Sequence, residues 1–410
     1  MKILLVNPPE AHTLEANLPG KIDRARGVNP PIGMMYVAGS LRAAGFEVEC
    51  LDAHAEGVGH AEIPDRIRRA APDALALGTV TFTLIDALKV VAAAKAYDPD
   101  LPVVMGGLHP HLYPDETIRL PGIDYLLLGE AERSAVALFG NLGKHDRLKD
   151  VEGVVYRHPA TGAVVNTGYP ALLDDLDALP FPALDLMPIE KYSSVVTAEG
   201  PVTLMISSRG CPYGCKFCSR SITGKQYRIR SPENVVDEAE RALGLGVREI
   251  LFYDEVFGVQ RDRAKAIARE ILARGLRFNW MARSTINDVD PEMLALFKRA
   301  GCGLLTLGVE AASKKVLARM NKPVDLDEVH RVFKMTQNAG ISTLAYFILG
   351  NPGETKDEVR QSIRYMVRLD PDLVHVAVYT AYPATEFYDE ALRSGEIASD
   401  YWREFAANPT

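Results

Sequence analysis

The chain has 410 residues, of which 47% are hydrophobic and 24% charged, and a formal net charge of −8. That length supports two or three domains with substantial cores. The acidic balance and the absence of a long basic run exclude a duplex nucleic acid as partner on bulk electrostatics, and no apolar stretch approaches the ~20 residues that span a bilayer.

In chain order, Met1-Lys2 leads directly into Ile3-Leu4-Leu5-Val6, without the length or cleavage site of a signal peptide, so a cytoplasmic location is expected. Unpaired Cys50 and Cys302 fit a reducing compartment and read as small buried hydrophobes. Apolar, β-rich runs at Lys2–Val6, Phe46–Leu51, Ala74–Thr79, Val103–Met105 and Asp124–Leu128 read as buried strands. Gly33–Ala44, Ile63–Ala71 and Ile85–Tyr97 carry apolar residues at helical spacing between them. Strands alternating with helices predict a doubly wound parallel sheet, whose ligands sit beyond the carboxyl ends of the strands. Those ends carry Gly78-Thr79-Val80-Thr81, Gly106-Gly107-Leu108-His109 and Gly129-Glu130, small and hydroxylated residues that let a bulky ligand approach the backbone.

This arrangement resembles cobalamin-binding domains, in which a strand-end Ser or Thr segment and a later Gly-Gly hold a nucleotide tail. The resemblance implies cobalamin contacts at Thr79, Thr81, Gly106, Gly107, Gly129 and Glu130. Asp52-Ala-His54-Ala-Glu-Gly57 spells D-x-H-x-x-G, the motif whose histidine ligates cobalt in some cobalamin enzymes, but it follows the second strand where those enzymes place it after the first. His54 therefore reads as a loop histidine, with cobalamin held without a protein histidine ligand. His109 and His111 read as loop residues too.

Domain one is expected over residues 1–135. Residues 136–198 read as a hairpin, Gly153–Tyr156 with Ala163–Asn166, and a proline-marked linker through Pro180, Pro182 and Pro188 that is stiff enough to orient domains. Strand–helix alternation resumes with Val202–Ile206, Glu249–Tyr253, Phe278–Met281, Leu304–Gly308, Thr343–Leu349 and Leu373–Tyr379. Six units fall short of the eight that close a barrel, which predicts an open (β/α)6 partial TIM barrel over 199–385, followed by a helical tail over 386–410.

After the first of these strands, Cys211, Cys215 and Cys218 stand in a C-x3-C-x2-C arrangement. Three thiolates saturate neither a tetrahedral zinc site nor the four irons of a cubane cluster, so one coordination position stays open. A zinc knuckle completed by a distant residue is the alternative. Lys225, Arg228 and Arg230 beyond the loop read as a solvated or domain-facing edge, and Trp280, Tyr379 and Tyr382 as cavity-lining or packing aromatics.

The cysteine spacing, with Phe217 before the last cysteine, resembles the signature of the radical S-adenosylmethionine (SAM) superfamily. The resemblance implies a 4Fe-4S cluster whose open iron chelates SAM and reductively cleaves it to a 5′-deoxyadenosyl radical, with the electron drawn from a flavodoxin or ferredoxin type of reductase. It further implies SAM contacts at Phe217, at Asp254 and Glu255 after the second barrel strand, at Arg283 and Ser284 after the third, at Glu310 and Ser313 after the fourth, and at Gly350 after the fifth. After the sixth, Pro383-Ala384-Thr385 departs from a Pro-Gly-Thr turn, and alanine there predicts a different local backbone.

Taken together the two halves resemble the cobalamin-binding-domain radical SAM enzymes, which include C-methyltransferases and the anaerobic magnesium-protoporphyrin monomethyl ester cyclase. The expectation is modification of an unactivated carbon in a metabolite, lipid or tetrapyrrole, by cobalamin-dependent methylation. Cyclisation, dehydration or rearrangement without methyl transfer is the second reading, and an iron–sulfur electron carrier the third.

Overall fold

The computed structural model describes residues 1–13, 27–196, 200–322 and 324–410. They form two compact units: Met1–Val202 with Ser221–Thr223 and Ser399–Thr410, and Thr203–Arg220 with Gly224–Ala398. The boundary expected at residues 198 and 199 lies outside the described residues.

In the first unit, β1 (Lys2–Asn7), β2 (Glu47–Asp52), β3 (Ala74–Gly78), β4 (Val103–Gly106) and β5 (Tyr125–Leu127) run parallel in the order β2-β1-β3-β4-β5. The unbroken apolar run of β1 arises because both faces of the sheet are covered. Leu4 and Val6 join Leu75 and Leu77 in one core, roofed by Leu84, Ala87, Val90 and Val91 of the helix Leu84–Tyr97. Ile3 and Leu5 face the other way with Ala74 and Ala76, beneath Ala38 and Leu41 of the helix Ile32–Ala43. The order reverses between β1 and β3, and a doubly wound sheet opens its ligand crevice at such a point.

The hairpin expected to begin the linker is instead part of this sheet. β6 (Val154–Arg157) pairs antiparallel with β5, and β7 (Val164–Asn166) with β6. Val154, Val155 and Tyr156 are fully buried there, so pairing covers an edge that β5 would leave open. The linker also packs on this unit: Ala183 N–H bonds Met35 O at 3.0 Å, and the Tyr192 hydroxyl bonds Asp52 Oδ2 at 2.8 Å. From the tail, the helix Tyr401–Ala407 sets Trp402 edge-on to Phe82, with ring centroids 5.7 Å apart.

In the second unit, β8 (Val202–Met205), β11 (Glu249–Phe252), β12 (Asn279–Ser284), β13 (Cys302–Glu310), β14 (Ser342–Leu349) and β15 (Leu373–Val378) lie in sequential order in one open sheet, while β9 (Ser208–Arg209) and β10 (Arg228–Ile229) form a separate antiparallel pair. Among the described residues the sheet does not close, and β15 pairs only with β14. Trp280 is 2% exposed, packed among Phe252, Phe257 and Phe297 with its indole N–H on Ala300 O at 2.8 Å, which makes it a packing residue. Two of the basic residues expected on a solvated or domain-facing edge are buried. Arg228 is 4% exposed and Arg230 3%, the latter bonding Ile206 O at 2.9 Å and Glu238 Oε2 at 2.5 Å.

The turn at Ala384 also departs from expectation, since Ala384 does adopt the left-handed conformation at φ +56°. Thr385 holds it there: its hydroxyl donates to Tyr382 O at 2.7 Å and accepts from Tyr388 N–H at 3.2 Å, capping the next helix.

Candidate functional site

The cysteine loop leaves the carboxyl end of β8, where barrel active sites form. Asp254, just past β11, is wholly buried and accepts from Ser207 N–H at 2.7 Å, Ser207 Oγ at 2.5 Å and Ser208 Oγ at 2.6 Å, pinning the chain that enters the loop. Cys211 N–H bonds Gly224 O at 3.3 Å, and Cys218 N–H closes a turn onto Cys215 O at 3.3 Å. On its other side the loop is tied to the segment after the helix Lys314–Arg319, by Lys216 N–H to Met320 O at 3.0 Å and Asn321 Nδ2 to Gly214 O at 2.7 Å. Phe217 packs against Ala311, Val316, Leu317, Met320 and Phe387, an anchor beneath the loop.

Burial raises all three thiols, and Cys218, which also feels Cys215 and Cys211, is pushed to about 11. Metal loading therefore has to displace three protons. Among the described residues, only His12, His60 and Asp86 bring three His, Cys, Asp or Glu ligand atoms within 4.8 Å of one another. One zinc ion, with Zn–S near 2.3 Å, would draw three sulfurs to about 3.8 Å apart. The thiols are spread wider than that, which fits a multi-iron centre better than a zinc knuckle.

Further strand ends surround this loop with a mixture of open and committed groups. Glu255 is exposed, and the Arg283 guanidinium lies 3.8 Å from the centre of the Tyr253 ring. Ser284 is buried, and its Oγ has no hydrogen-bond partner among the described residues. A Cβ at Gly258 would lie 2.6 Å from that oxygen, so glycine there keeps room around the hydroxyl. Glu310 takes φ +68° at a register shift between β13 and β14, and its Oε1 lies 3.1 Å from Lys322 Nζ. Gly350, at φ +79°, has open space where a side chain would stand, although its N–H is given to Glu354 Oε2 at 2.8 Å.

Two of the expected SAM contacts are committed to the protein itself. Asp254 has three internal donors and no exposure. Ser313 caps the helix Lys314–Arg319 through Val316 N–H at 3.3 Å and gives its proton to Glu358 Oε1 at 2.9 Å. A ligand would have to displace bonds that both residues already make.

In the first unit the β3 and β4 loops meet at close range. Gly107 has φ +102°, and a Cβ there would sit 2.6 Å from Thr79 O. Glycine is required for loop-to-loop contact, then, and not merely for a ligand's approach. Thr79 bonds Thr83 Oγ1 at 3.1 Å, and Thr81 Oγ1 meets His109 Nδ1 at 3.0 Å. His109 is fully buried, its Nε2 has no partner among the described residues, and burial holds its imidazole down at about 4, hence neutral. By contrast Gly78 is exposed with nothing within 4 Å of its Cβ position, and Gly106 has only ordinary contacts, leaving bare backbone at both strand ends. Bare backbone, an orphaned imidazole nitrogen and the exposed Val80 fit a large amphipathic ligand.

Gly129, at φ +64°, gives its N–H to His111 Nδ1 at 3.1 Å, and Glu130 accepts from Leu173 N–H at 3.0 Å, so both brace the linker side of the sheet. His54 lies on the short helix Ala53–Glu56, with Nδ1 3.8 Å from Glu10. Asp52 of the same motif bonds Asn7 Nδ2 at 2.8 Å, Ala55 N–H at 3.1 Å and the Tyr192 hydroxyl, a structural use of its carboxylate.

One network escaped the sequence reading altogether. Asp86, wholly buried, accepts from His12 N–H at 2.8 Å and faces His12 Nδ1 at 2.7 Å and His60 Nε2 at 2.6 Å, while Lys89 Nζ sits 2.7 Å from His12 Nε2. The lysine cation and the fully used carboxylate make this a hydrogen-bonded brace and oppose a metal ion. His12 and His60 come from two separate loops and Asp86 and Lys89 from the helix Leu84–Tyr97, and no spacing signals them.

Comparison with known proteins agrees with this division. The Radical SAM superfamily model matches residues 205–366, and the B12 binding domain model matches 21–139. An uncharacterized methyltransferase of Pyrococcus horikoshii is 32% identical over 410 residues, covering 99% of this chain and 86% of the relative. The anaerobic magnesium-protoporphyrin IX monomethyl ester cyclase of Rubrivivax gelatinosus is 29% identical over 398 residues, 95% of this chain and 70% of the cyclase. Among solved structures, the radical S-adenosylmethionine methyltransferase TsrM from Kitasatospora setae, determined with cobalamin and a 4Fe-4S cluster bound, shares the fold. Its TM-score is 0.77 at 18% identity, over 96% of this chain and 75% of TsrM.

Proposed function

Because the chain belongs to the radical SAM superfamily, in the group that carries a B12 binding domain ahead of the barrel, we propose that it methylates an unactivated carbon of a metabolite, lipid or tetrapyrrole. The observation that carries this reading is the pairing within one chain of a three-thiol loop at a barrel strand end with a bare-backbone platform at a doubly wound sheet's strand ends. When bound, the cluster and SAM supply a carbon-centred radical oxidant, and cobalamin supplies a transferable methyl group.

The chain's own residues do the positioning. Cys211, Cys215 and Cys218 would hold a 4Fe-4S cluster through three of its irons, leaving the fourth open to SAM. Glu255, Arg283 and Ser284 line the second and third strand ends, where a carboxylate and a cation can meet the amino and carboxylate groups of SAM, and the Ser284 hydroxyl is free to bond the ribose. Glu310 and the open backbone at Gly350 complete that set, with Phe217 as the apolar anchor of the loop. Asp254 and Ser313 act behind them. In the first unit, Thr79, Thr81, Gly106 and Gly107 form the cobalamin platform, with Gly129 and Glu130 bracing it, and no histidine of the chain ligates cobalt. A low-potential one-electron donor of the flavodoxin or ferredoxin class supplies the electron.

Incubation of the reconstituted protein with methyl-labelled SAM, a low-potential reductant and candidate substrates tests the proposal. Label in the product supports methylation. The likeness to the cyclase favours a second reading, ring formation without methyl transfer, for which 5′-deoxyadenosine forms and the product carries no label. If no 5′-deoxyadenosine forms, both readings fail in favour of an iron–sulfur electron carrier. Among the described residues no helix is long and apolar enough to cross a membrane.

A further inference from the structure

We propose that the buried Lys322–Glu310 pair sets the electron affinity of the centre held by Cys211, Cys215 and Cys218. The inference rests on the reading of those thiols as cluster ligands and concerns two residues toward that centre.

The placement of Lys322 is over-determined. Residues 320–322 form a strap along the cysteine loop: Met320 O takes Lys216 N–H at 3.0 Å, and Asn321 Nδ2 gives to Gly214 O at 2.7 Å. These two bonds fall on the residues that flank Cys215. Asn321 takes φ +52°, a conformation asparagine tolerates better than most residues, and Lys322 N–H returns to Leu317 O at 2.9 Å. The next residue's side chain is thereby directed inward, where it is 17% exposed and meets Glu310 Oε1 at 3.1 Å.

Glu310 is equally constrained. Its left-handed φ and the register shift beside it turn the carboxylate back over Gly308, where a Cβ would stand 2.3 Å from Oε1 and 3.0 Å from Lys322 Nζ. A strained non-glycine residue, a bulge and a side-chain-free position are all needed to seat one ion pair. Stability does not account for that expense, because buried pairs are often replaceable by apolar residues at no loss.

The electrostatics give the pair a direction. The strap that carries Lys322 is bonded to both residues that flank Cys215, which sets its ammonium charge beside the thiol loop, and Glu310, reaching that ammonium at 3.1 Å from the end of β13, partly offsets it. Reduction of the centre by one electron adds a negative charge there, so Lys322 favours the reduced form and Glu310 moderates it.

The test is a redox titration of the anaerobically reconstituted protein, with dithionite as reductant, no SAM present, and the reduced centre counted by electron paramagnetic resonance. Lys322→Gln is expected to lower the reduced-to-oxidised ratio at a fixed poise about tenfold, equivalent to a potential about 59 mV more negative. Lys322→Arg is expected to stay within twofold of the parent, and Glu310→Gln to move the potential upward. Should Lys322→Gln fail to assemble a centre, Glu310→Gln, which keeps the strap intact, decides alone. A Lys322→Gln ratio within twofold of the parent, or a Glu310→Gln potential that stays or falls, overturns the inference. Iron and sulfide content of the parent reports separately on whether the thiols hold a cluster at all, so failure of that reading is distinguishable.

Discussion

Replacing Asp254 by alanine tests whether the cysteine loop depends on a buried carboxylate bonded to the chain that enters it. The substitution removes one fully buried acceptor and leaves three donors, Ser207 N–H, Ser207 Oγ–H and Ser208 Oγ–H, without the partner they have at 2.5–2.7 Å. Each unsatisfied buried group costs about 1–3 kcal/mol, so even the low end totals about 3 kcal/mol of local destabilisation. At 1.36 kcal/mol per decade that is a hundredfold or more in the opening equilibrium. Native-state hydrogen exchange at the Ser207 amide reads the opening directly. Asp254→Ala is expected to accelerate that exchange at least a hundredfold. Asp254→Asn should fall between, because its remaining carbonyl oxygen can still take the amide proton while its NH2 group faces two hydroxyls. The Leu75 amide, bonded to Pro102 O at 2.9 Å in the other unit, serves as the internal reference and should not change. A Ser207 exchange rate within twofold of the parent in Asp254→Ala would refute the reasoning.

Gly107→Ala should abolish corrinoid binding, seen as loss of its visible bands in reconstituted protein, while iron content stays at the parental level, because a Cβ would strike Thr79 O at 2.6 Å with φ at +102°. His54→Ala should leave those corrinoid bands in place, and their disappearance would make His54 a ligand after all. For His109, held at about 4 by burial against 6.5 in the unfolded chain, the unfolded state binds the extra proton between those values. Its contribution is therefore complete above pH 6.5 and is lost as pH falls towards 4, up to about 3 kcal/mol. His109→Gln should flatten the dependence of the first unit's stability on pH over that window, followed by hydrogen exchange in β1 and β3, and an unchanged slope would count against the assignment.

Strands were legible wherever burial is two-sided. β1 announces itself because Ile3, Leu4, Leu5 and Val6 are all core residues, alternating between two faces. The cysteine loop was legible because its chemistry is written in consecutive residues. What could not be read is the direction of a side chain at a strand end. Asp254 and Glu255 are adjacent carboxylates just past the strand, one buried and the other exposed, and nothing in their identity distinguishes the brace from the exposed group. Lys322 was missed because its partnership with Glu310 is formed across a helix and through a left-handed Asn321, and the Asp86 network because it joins two loops to the helix Leu84–Tyr97. Arg228 and Arg230 read as a solvated or domain-facing edge from their charge, whereas Glu238, eight residues beyond Arg230, supplies the partner that lets Arg230 be buried.

The Tyr192–Asp52 bond has a practical meaning for anyone wishing to prepare the first unit alone. Asp52 is fully buried at the end of β2, and one of its three partners arrives 140 residues later in the chain. A fragment cut after residue 139, where the B12 binding domain match ends, would carry the whole parallel sheet yet lack that hydroxyl and the strand that covers β5. It would expose a pairing edge and strand a buried carboxylate, a combination that favours insolubility. Cutting after residue 192 keeps both partners, and the ratio of soluble yields from the two fragments is a direct measure of how far the folding unit outruns the recognisable domain.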